Sequence, residues 1–201
     1  MINKLFINLC ILLLCTSCNS ISYSQIFPMV KTAVFGVDDI LVNDEFIKNK
    51  EYSFAKVKIG KSGIAIMTLS EINDGIYTWI SSSGEKLNTF NGKVISISGS
   101  LFDMKIYNHL NFSLDYNHTT YLDSQMLLYS PKASIGHSSA SKFIAMNEDD
   151  LMYYEESVTT KGFKWKFTNR YWVDPETRRV MRTIQQVHPK QDQLDISFYY
   201  K

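Results

Sequence analysis

Beyond residue 18 the chain has no cysteine: its three cysteines, Cys10, Cys15 and Cys18, all fall in the stretch NLCILLLCTSC. A domain that begins after them can hold no disulfide, no thiolate nucleophile and no cysteine-ligated metal. Proline and glycine are scarce, at four and nine residues of 201, which excludes collagen-like and low-complexity chains. Neither sign of charge dominates, since 21 basic residues face 20 acidic ones and the lysines are interspersed among acids. Nucleic acid, which would want a basic stripe, is therefore not an expected partner. A long hydrophobic run is missing too. The mostly apolar segment Leu5 to Leu14 is about half of the ~20 residues a membrane-spanning helix needs. The four histidines, His109, His118, His137 and His188, show no metal-ligand spacing, and no G-x-S-x-G, H-E-x-x-H or phosphate-cradling glycine loop occurs. Neither a metal nor a cofactor is expected.

What is present begins at the N-terminus. Lys4 supplies positive charge, the apolar segment follows, and the small polar pair Thr16-Ser17 comes next, the order of a secretory signal. Cys15-Thr16-Ser17-Cys18 resembles a bacterial lipobox, in which the final cysteine is lipidated and becomes the mature N-terminus; Cys15 stands where leucine is usual. On this reading residues 1–17 are a lipoprotein signal peptide, 18–24 a short lipidated tether (NSISYS after Cys18) and 25–201 the folded domain. Asn19 follows Cys18 where inner-membrane lipoproteins of this kind carry aspartate, which points to the outer membrane. Several acyl chains would hold the protein there durably, whereas one binds only marginally. The 184 residues left after the signal suffice for a single domain that buries about 70 % of its unfolded surface without staples.

The dominant period along that domain is two. The exception is SQIFPMVKTAVFG, where Ile26, Val30 and Ala33 or Val34 recur at helical spacing and predict a short helix from about Gln25 to Phe35. After it, Val57 and Ile59 alternate with lysines, Phe112, Leu114 and Tyr116 with polar residues, Phe163, Trp165 and Phe167 with Lys164, Lys166 and Thr168, and Leu194, Ile196, Phe198 and Tyr200 share one face. Turn signals at Gly60-Lys61-Ser62-Gly63, Asn73-Asp74-Gly75, Ser83-Gly84, Asn91-Gly92 and Gly99 are about ten residues apart, the mark of an antiparallel meander. SPKASIGHSSASK reads as an exposed loop because it is small and polar. The expected fold is all-β and mainly antiparallel: a single domain of curved or packed antiparallel sheets, a half-barrel or a sandwich, with the short N-terminal helix laid against it.

One stretch is more distinctive. KWKFTNRYWVDPETRRVMRTIQQV, Lys164 to Val187, reads as a strand, a tight turn with Asp174 and Pro175 at its first two positions, and a returning strand. Together with the lipobox, the N-terminal helix, EYSFAKVKIG, Trp79 and the Asn91-Gly92 turn, it resembles the lipoproteins of group 4 capsule and exopolysaccharide loci, the GfcB/YjbF family. Arg178 stands where these hairpins usually have glycine; at positive φ it would be strained by about 1 kcal/mol. The resemblance implies a non-catalytic outer-membrane lipoprotein facing the periplasm, held to the membrane by its lipid and acting in polysaccharide assembly or export. Its implied partners are polysaccharide export proteins or the polysaccharide itself.

The residues alone offer few competing chemistries. Glycoside cleavage uses two carboxylates about 5 to 9.5 Å apart, and Asp103, Asp115, Asp123, Glu148, Asp149, Asp150, Glu155 and Glu156 could form pairs, but they read as solvated acids of loops. Asn147 to Asp150 lacks the alternation of a calcium loop and reads as a solvated turn. No active site is expected, and Asp174 is explained as a turn former. Trp79, Trp165 and Trp172, with Arg170 beside the last, are candidates for glycan or partner contact, against the plainer role of indoles filling a core. A module that carries lipid or glycan in a half-barrel is the competing function; an open apolar concavity would favour it, a filled core would not. Cys18→Ser should move the protein from the membrane fraction to the soluble periplasm. Retention of the mutant in the membrane, with no labelled palmitate in the wild type, would sink the anchor.

Overall fold

In the computed structural model, the described residues are 42–100, 102–109, 112–114, 122–128, 133–140, 145–148, 150–161 and 165–201. The signal, the lipobox and the helix expected at Gln25 to Phe35 lie outside them. Residues 39–201 form one compact unit. Among its described residues a single helical turn, α1 (Asp44–Lys48), precedes thirteen strands: β1 (Phe54–Ile59), β2 (Ile64–Asn73), β3 (Ile76–Ser81), β4 (Lys86–Phe90), β5 (Lys93–Ser98), β6 (Met104–Tyr107), β7 (Leu122–Leu128), β8 (Ser134–Ala140), β9 (Ala145–Glu148), β10 (Leu151–Lys161), β11 (Trp165–Val173), β12 (Val180–Gln185) and β13 (Leu194–Tyr199).

The first six strands form the meander that the turn signals predict. Asp74-Gly75 and Asn91-Gly92 take positive φ at both residues (50° and 77°, 48° and 73°), the conformation of two-residue hairpin turns. At Gly92 glycine is needed twice over, because a Cβ would also lie 2.6 Å from Val180. β1 then pairs antiparallel with β13, so the last strand joins the first, and β12 and β11 continue the sheet beyond it. At the other end β6, β7, β8 and β10 follow in order, and β10 pairs along its length with β11. The sheet therefore returns on itself: every strand but β9 belongs to an antiparallel ring, and β9 shares the β10 edge with β8. The antiparallel all-β fold is as expected, and of the two expected forms it develops the barrel rather than the sandwich, closing it further than a half-barrel.

Closure makes one face of every strand an interior. Ala55, Val57, Met67, Trp79, Leu87, Met104, Tyr154, Tyr171, Ile196 and Phe198 belong to one buried cluster. Trp79 is fully buried, donates its indole N–H to Thr89 Oγ1 at 3.0 Å, and packs against Phe198 with ring centroids 5.3 Å apart. On the outside, Phe46 of α1 meets Phe54 edge-on at 5.6 Å, and Phe54 stacks on Tyr199 at 4.6 Å. α1 was not legible from apolar periodicity. Its signals are the Asn43 cap, whose Oδ1 accepts from Phe46 N at 2.8 Å, and the acidic pair Asp44-Glu45 in the first turn.

Two local expectations fail. Ser134–Ala140, expected as an exposed loop, is strand β8, paired on one side with β7 and on the other with β10. Small polar residues have weak strand preference of their own, but two neighbouring strands satisfy their backbone. Phe112 to Leu114, expected as a strand, is irregular, with Phe112 N donating to His109 O at 2.9 Å; Phe112 nevertheless fills the core at 2 % exposure.

The β11–β12 hairpin is as expected. Asp174 O accepts from Arg178 N and Asp174 N donates to Arg179 O, both at 2.9 Å, which closes the turn. Arg178 takes φ 58°, the left-handed region that costs an L side chain about 1–2 kcal/mol. Arg178→Gly should therefore raise stability by about 1 kcal/mol, read as a higher urea midpoint at unchanged slope. A loss of stability would show that the Arg178 side chain holds the turn.

Candidate functional site

The interior holds an ion pair. β10 alternates inward as Met152, Tyr154, Glu156, Val158 and Thr160, all buried, so Glu156 points into the core with no exposure. One carboxylate oxygen, Oε1, meets Lys93 Nζ of β5; the other, Oε2, accepts from Tyr171 OH at 2.7 Å and Asn169 Nδ2 at 2.8 Å, both of β11. Lys93 Nζ also lies 4.6 Å from the centre of the Phe112 ring. Around this knot Gln185 donates to Gly92 O at 2.7 Å and Thr183 Oγ1 at 2.8 Å and accepts from Val94 N at 3.0 Å, while Asn169 Oδ1 accepts from Gln186 N at 3.0 Å. A cavity of about 10 Å³, room for one water at most, lies beside the knot against Lys93, Asn169, Gln185 and Gln186. Reading Glu156 as a solvated loop acid is therefore wrong: it is a strand residue on the inward phase, and the apolar residues two before and two after it carried that signal.

The knot is poor material for acid–base chemistry, because its groups are committed to one another. Burial, and then the adjacent Glu156 charge, push the Tyr171 hydroxyl well above its ordinary pKa. Burial does the same for Tyr200, with Tyr77 adding to it. The described residues contain no cluster of three or more His, Cys, Asp or Glu side chains able to hold a metal.

The outer face of β10 to β13 and β1 is different. Register sets two rows of outward side chains across these strands: Tyr153, Trp172, Arg182, Ser197 and Lys56, and beside it Glu155, Arg170, Ile184, Asp195 and Lys58. Trp172 is half-buried, with the Tyr153 ring at 5.2 Å and the Arg182 guanidinium 5.0 Å from its centre. Arg182 in turn grips Asp195 with two bonds, at 2.9 and 2.6 Å, and Arg170 Nε lies 3.4 Å from Glu155 Oε1.

The sequence candidates thus separate. Arg170 and Trp172 share this face. Trp165 packs on Phe167 at 4.1 Å, partly buried against the core, and Trp79 is inside, with no surface to offer a glycan. Asp174 Oδ1 accepts from Glu176 N at 2.8 Å and Thr177 N at 3.0 Å; these backbone donors, Thr177 first, lower its pKa. His188 is buried, and its Nδ1 accepts from Lys190 N at 3.0 Å. His109 borders an outer groove of about 480 Å³ along β5 and β6. Burial, with Lys105 adding, lowers its pKa, while the Ile106 backbone, off hydrogen-bonding geometry, pulls the other way. Both His109 nitrogens and Asn88 Oδ1 are sealed from solvent and unpartnered, so these atoms do not face the groove. Asp123, His118 and His137 have no described side chains.

Two outcomes follow from the knot. Glu156→Gln keeps the shape but leaves Lys93 buried without a counter-charge, and should cost about 3–5 kcal/mol; adding Lys93→Met should recover most of that loss. Equal stability of Glu156→Gln and wild type would show the pair is dispensable. Above about pH 10 an unfolded Tyr171 gives up its proton while the folded one retains it, so the unfolded chain binds fewer protons and stability falls as pH rises. An ultraviolet titration should accordingly show tyrosines that ionise only with alkaline unfolding.

Comparison with known proteins agrees with this architecture. A search of solved structures finds the hypothetical lipoprotein YmcC from Escherichia coli (K12), 16 % identical, covering 90 % of this chain and 96 % of that one with a TM-score of 0.66, which establishes a shared fold. A putative exported protein with a YmcC-like fold from Bacteroides fragilis NCTC 9343 is 9 % identical, covering 76 % and 95 %, with a TM-score of 0.33. No curated protein matches. The family described as group 4 capsule polysaccharide lipoprotein gfcB, YjbF matches residues 28–198, from within the expected N-terminal helix into β13. With most of the sequence and the β11–β12 hairpin inside that match, the chain belongs to the GfcB/YjbF family of group 4 capsule polysaccharide lipoproteins.

Proposed function

We propose that this chain is an outer-membrane lipoprotein, anchored through Cys18 on the periplasmic face, that acts as a non-catalytic accessory factor in the assembly or export of a capsule or exopolysaccharide. The family match over residues 28–198 carries this reading. The filled interior supports a role exerted through the outer surface: aromatic and aliphatic side chains pack between the walls, Glu156 and Lys93 neutralise each other, and the space beside them is about 10 Å³. A lipid or glycan carrier would need an open apolar lumen in that place. The lipobox-like Cys15-Thr16-Ser17-Cys18 and the following Asn19 support the anchor and the choice of membrane.

Deleting the protein should leave polymer made but retained inside the cell. A deletion strain with normal surface polymer would end the accessory reading. Asp174→Asn should leave export intact, because the amide oxygen can still accept from the Glu176 and Thr177 backbone N–H groups. A variant that folded normally yet abolished export would instead assign Asp174 a chemical role.

A further inference from the structure

The knot offers nothing to an outside substrate, yet it holds three groups able to react with one another. A primary amine (Lys93), a carboxamide (Asn169) and a carboxylate (Glu156) meet in one place, at 6 %, 3 % and 0 % exposure. The carboxylate is the bridge between the other two. Its Oε1 accepts from Lys93 Nζ, and its Oε2 accepts from Asn169 Nδ2 at 2.8 Å. Lys93 and Asn169 also border the same cavity of about 10 Å³. On the other side of the amide, Asn169 Oδ1 accepts from Gln186 N at 3.0 Å. That backbone donor is aimed at the oxygen where negative charge would develop if the amide carbon were attacked. Apolar side chains, Met104, Ile106, Met126, Val158 and Phe167, complete the cavity wall, and the Phe112 ring lies 4.6 Å from Lys93 Nζ. Such a wall keeps out bulk water, the competing nucleophile. Nucleophile, acceptor and an acid–base group between them are thereby held together at high effective concentration, which is what an amide transfer needs.

We propose that Lys93 and Asn169 join in an intramolecular isopeptide bond, formed by the folded chain itself with Glu156 as the acid–base group. The Lys93 ammonium gives one proton to Glu156 Oε1, and the freed amine attacks Asn169 Cγ. The carbonyl electron pair moves onto Oδ1, where the Gln186 N–H stabilises it. As that pair returns, the Cγ–Nδ2 bond breaks and its electrons leave with the nitrogen. Glu156 relays a proton to this nitrogen through Oε2 and takes the second proton that Nζ sheds, so ammonia departs and Glu156 ends as a neutral acid. Charge balances, because the cation and the carboxylate of the pair are consumed together. No oxidant, metal or second substrate enters. The new amide ties β5 to β11 across the interior and gives a domain without cysteine the kind of covalent strap that a disulfide would supply. Each molecule reacts once, so the step matures the fold and is separate from the accessory role.

The test is a peptide map of the full chain, purified folded in detergent, then denatured and digested with trypsin. Trypsin does not cut after an acylated lysine, so the bond should give Leu87–Lys105 uncut at Lys93 and joined to Phe167–Arg170, lighter than the two peptides together by one ammonia. Fragmentation should place the link on Lys93 and Asn169. Lys93→Arg keeps a cation for Glu156 but removes the amine, so Phe167–Arg170 should appear free. Glu156→Gln should lower the yield of joined peptide about tenfold or more. If that variant fails to fold, Glu156→Asp, which keeps the charge but withdraws the carboxyl, should accumulate the joined peptide more slowly after synthesis. A wild-type map that releases Leu87–Lys93 and Phe167–Arg170 at their full masses would overturn the bond. Ammonia loss within a single peptide, or a link from Lys93 to Gln185 in place of Asn169, would do the same. Full linking in a folded Glu156→Gln protein would remove Glu156 from the reaction.

Discussion

A buried carboxylate constrains the rest of the molecule. Glu156 has no contact with solvent, and burying an unpaired carboxylate would cost several kcal/mol. It is tolerable only because three donors converge on it, Lys93 from one wall of the barrel and Asn169 and Tyr171 from the strand next to its own. Those donors are 63, 13 and 15 residues away in sequence. The ion pair therefore exists only when β5 faces β10 and β11 across the interior, that is, when the ring has formed. Gln185 makes a second tie of the same kind, joining β12 to the Gly92 turn and β5.

This arrangement accounts for the close packing at Gly92. The Asn91-Gly92 turn is folded in against Val180, near enough for the Gly92 carbonyl to accept from Gln185, and no side chain fits there. A hairpin that would otherwise project from the barrel becomes part of its wall. The polar groups of the knot satisfy one another and aromatic rings pack beside them, an arrangement that specifies which strands face each other.

Surface chemistry follows from the same alternation. Each strand residue next to an inward one points out, so the strands that commit Tyr171, Val173, Thr183 and Ile196 to the core must present Trp172, Arg182 and Asp195 to solvent. The outward row is thus a geometric consequence of the inward one. Ring-on-guanidinium and guanidinium-on-carboxylate contacts then fix its side chains in place.

The sequence by itself determined what depends on neighbours along the chain. Asp74-Gly75, Asn91-Gly92 and Asp174-Pro175 turn where they stand because their backbone preferences are local, and alternation marks strands as β13 and β11 do. The family was legible for the same reason. Burial of Glu156 was half legible: its place between Tyr154 and Val158 gives the phase, while its partners are distant in sequence and carry no local mark. The three tryptophans look alike as strand residues, yet one is in the core, one is packed at its margin and one lies on the outer face. Only tertiary structure decided that, because burial depends on which strands lie alongside and on the closure of β10 onto β11. β8 is the extreme case: its small polar residues have little strand preference, and it is a strand because β7 and β10 leave unpaired edges on either side that its backbone satisfies.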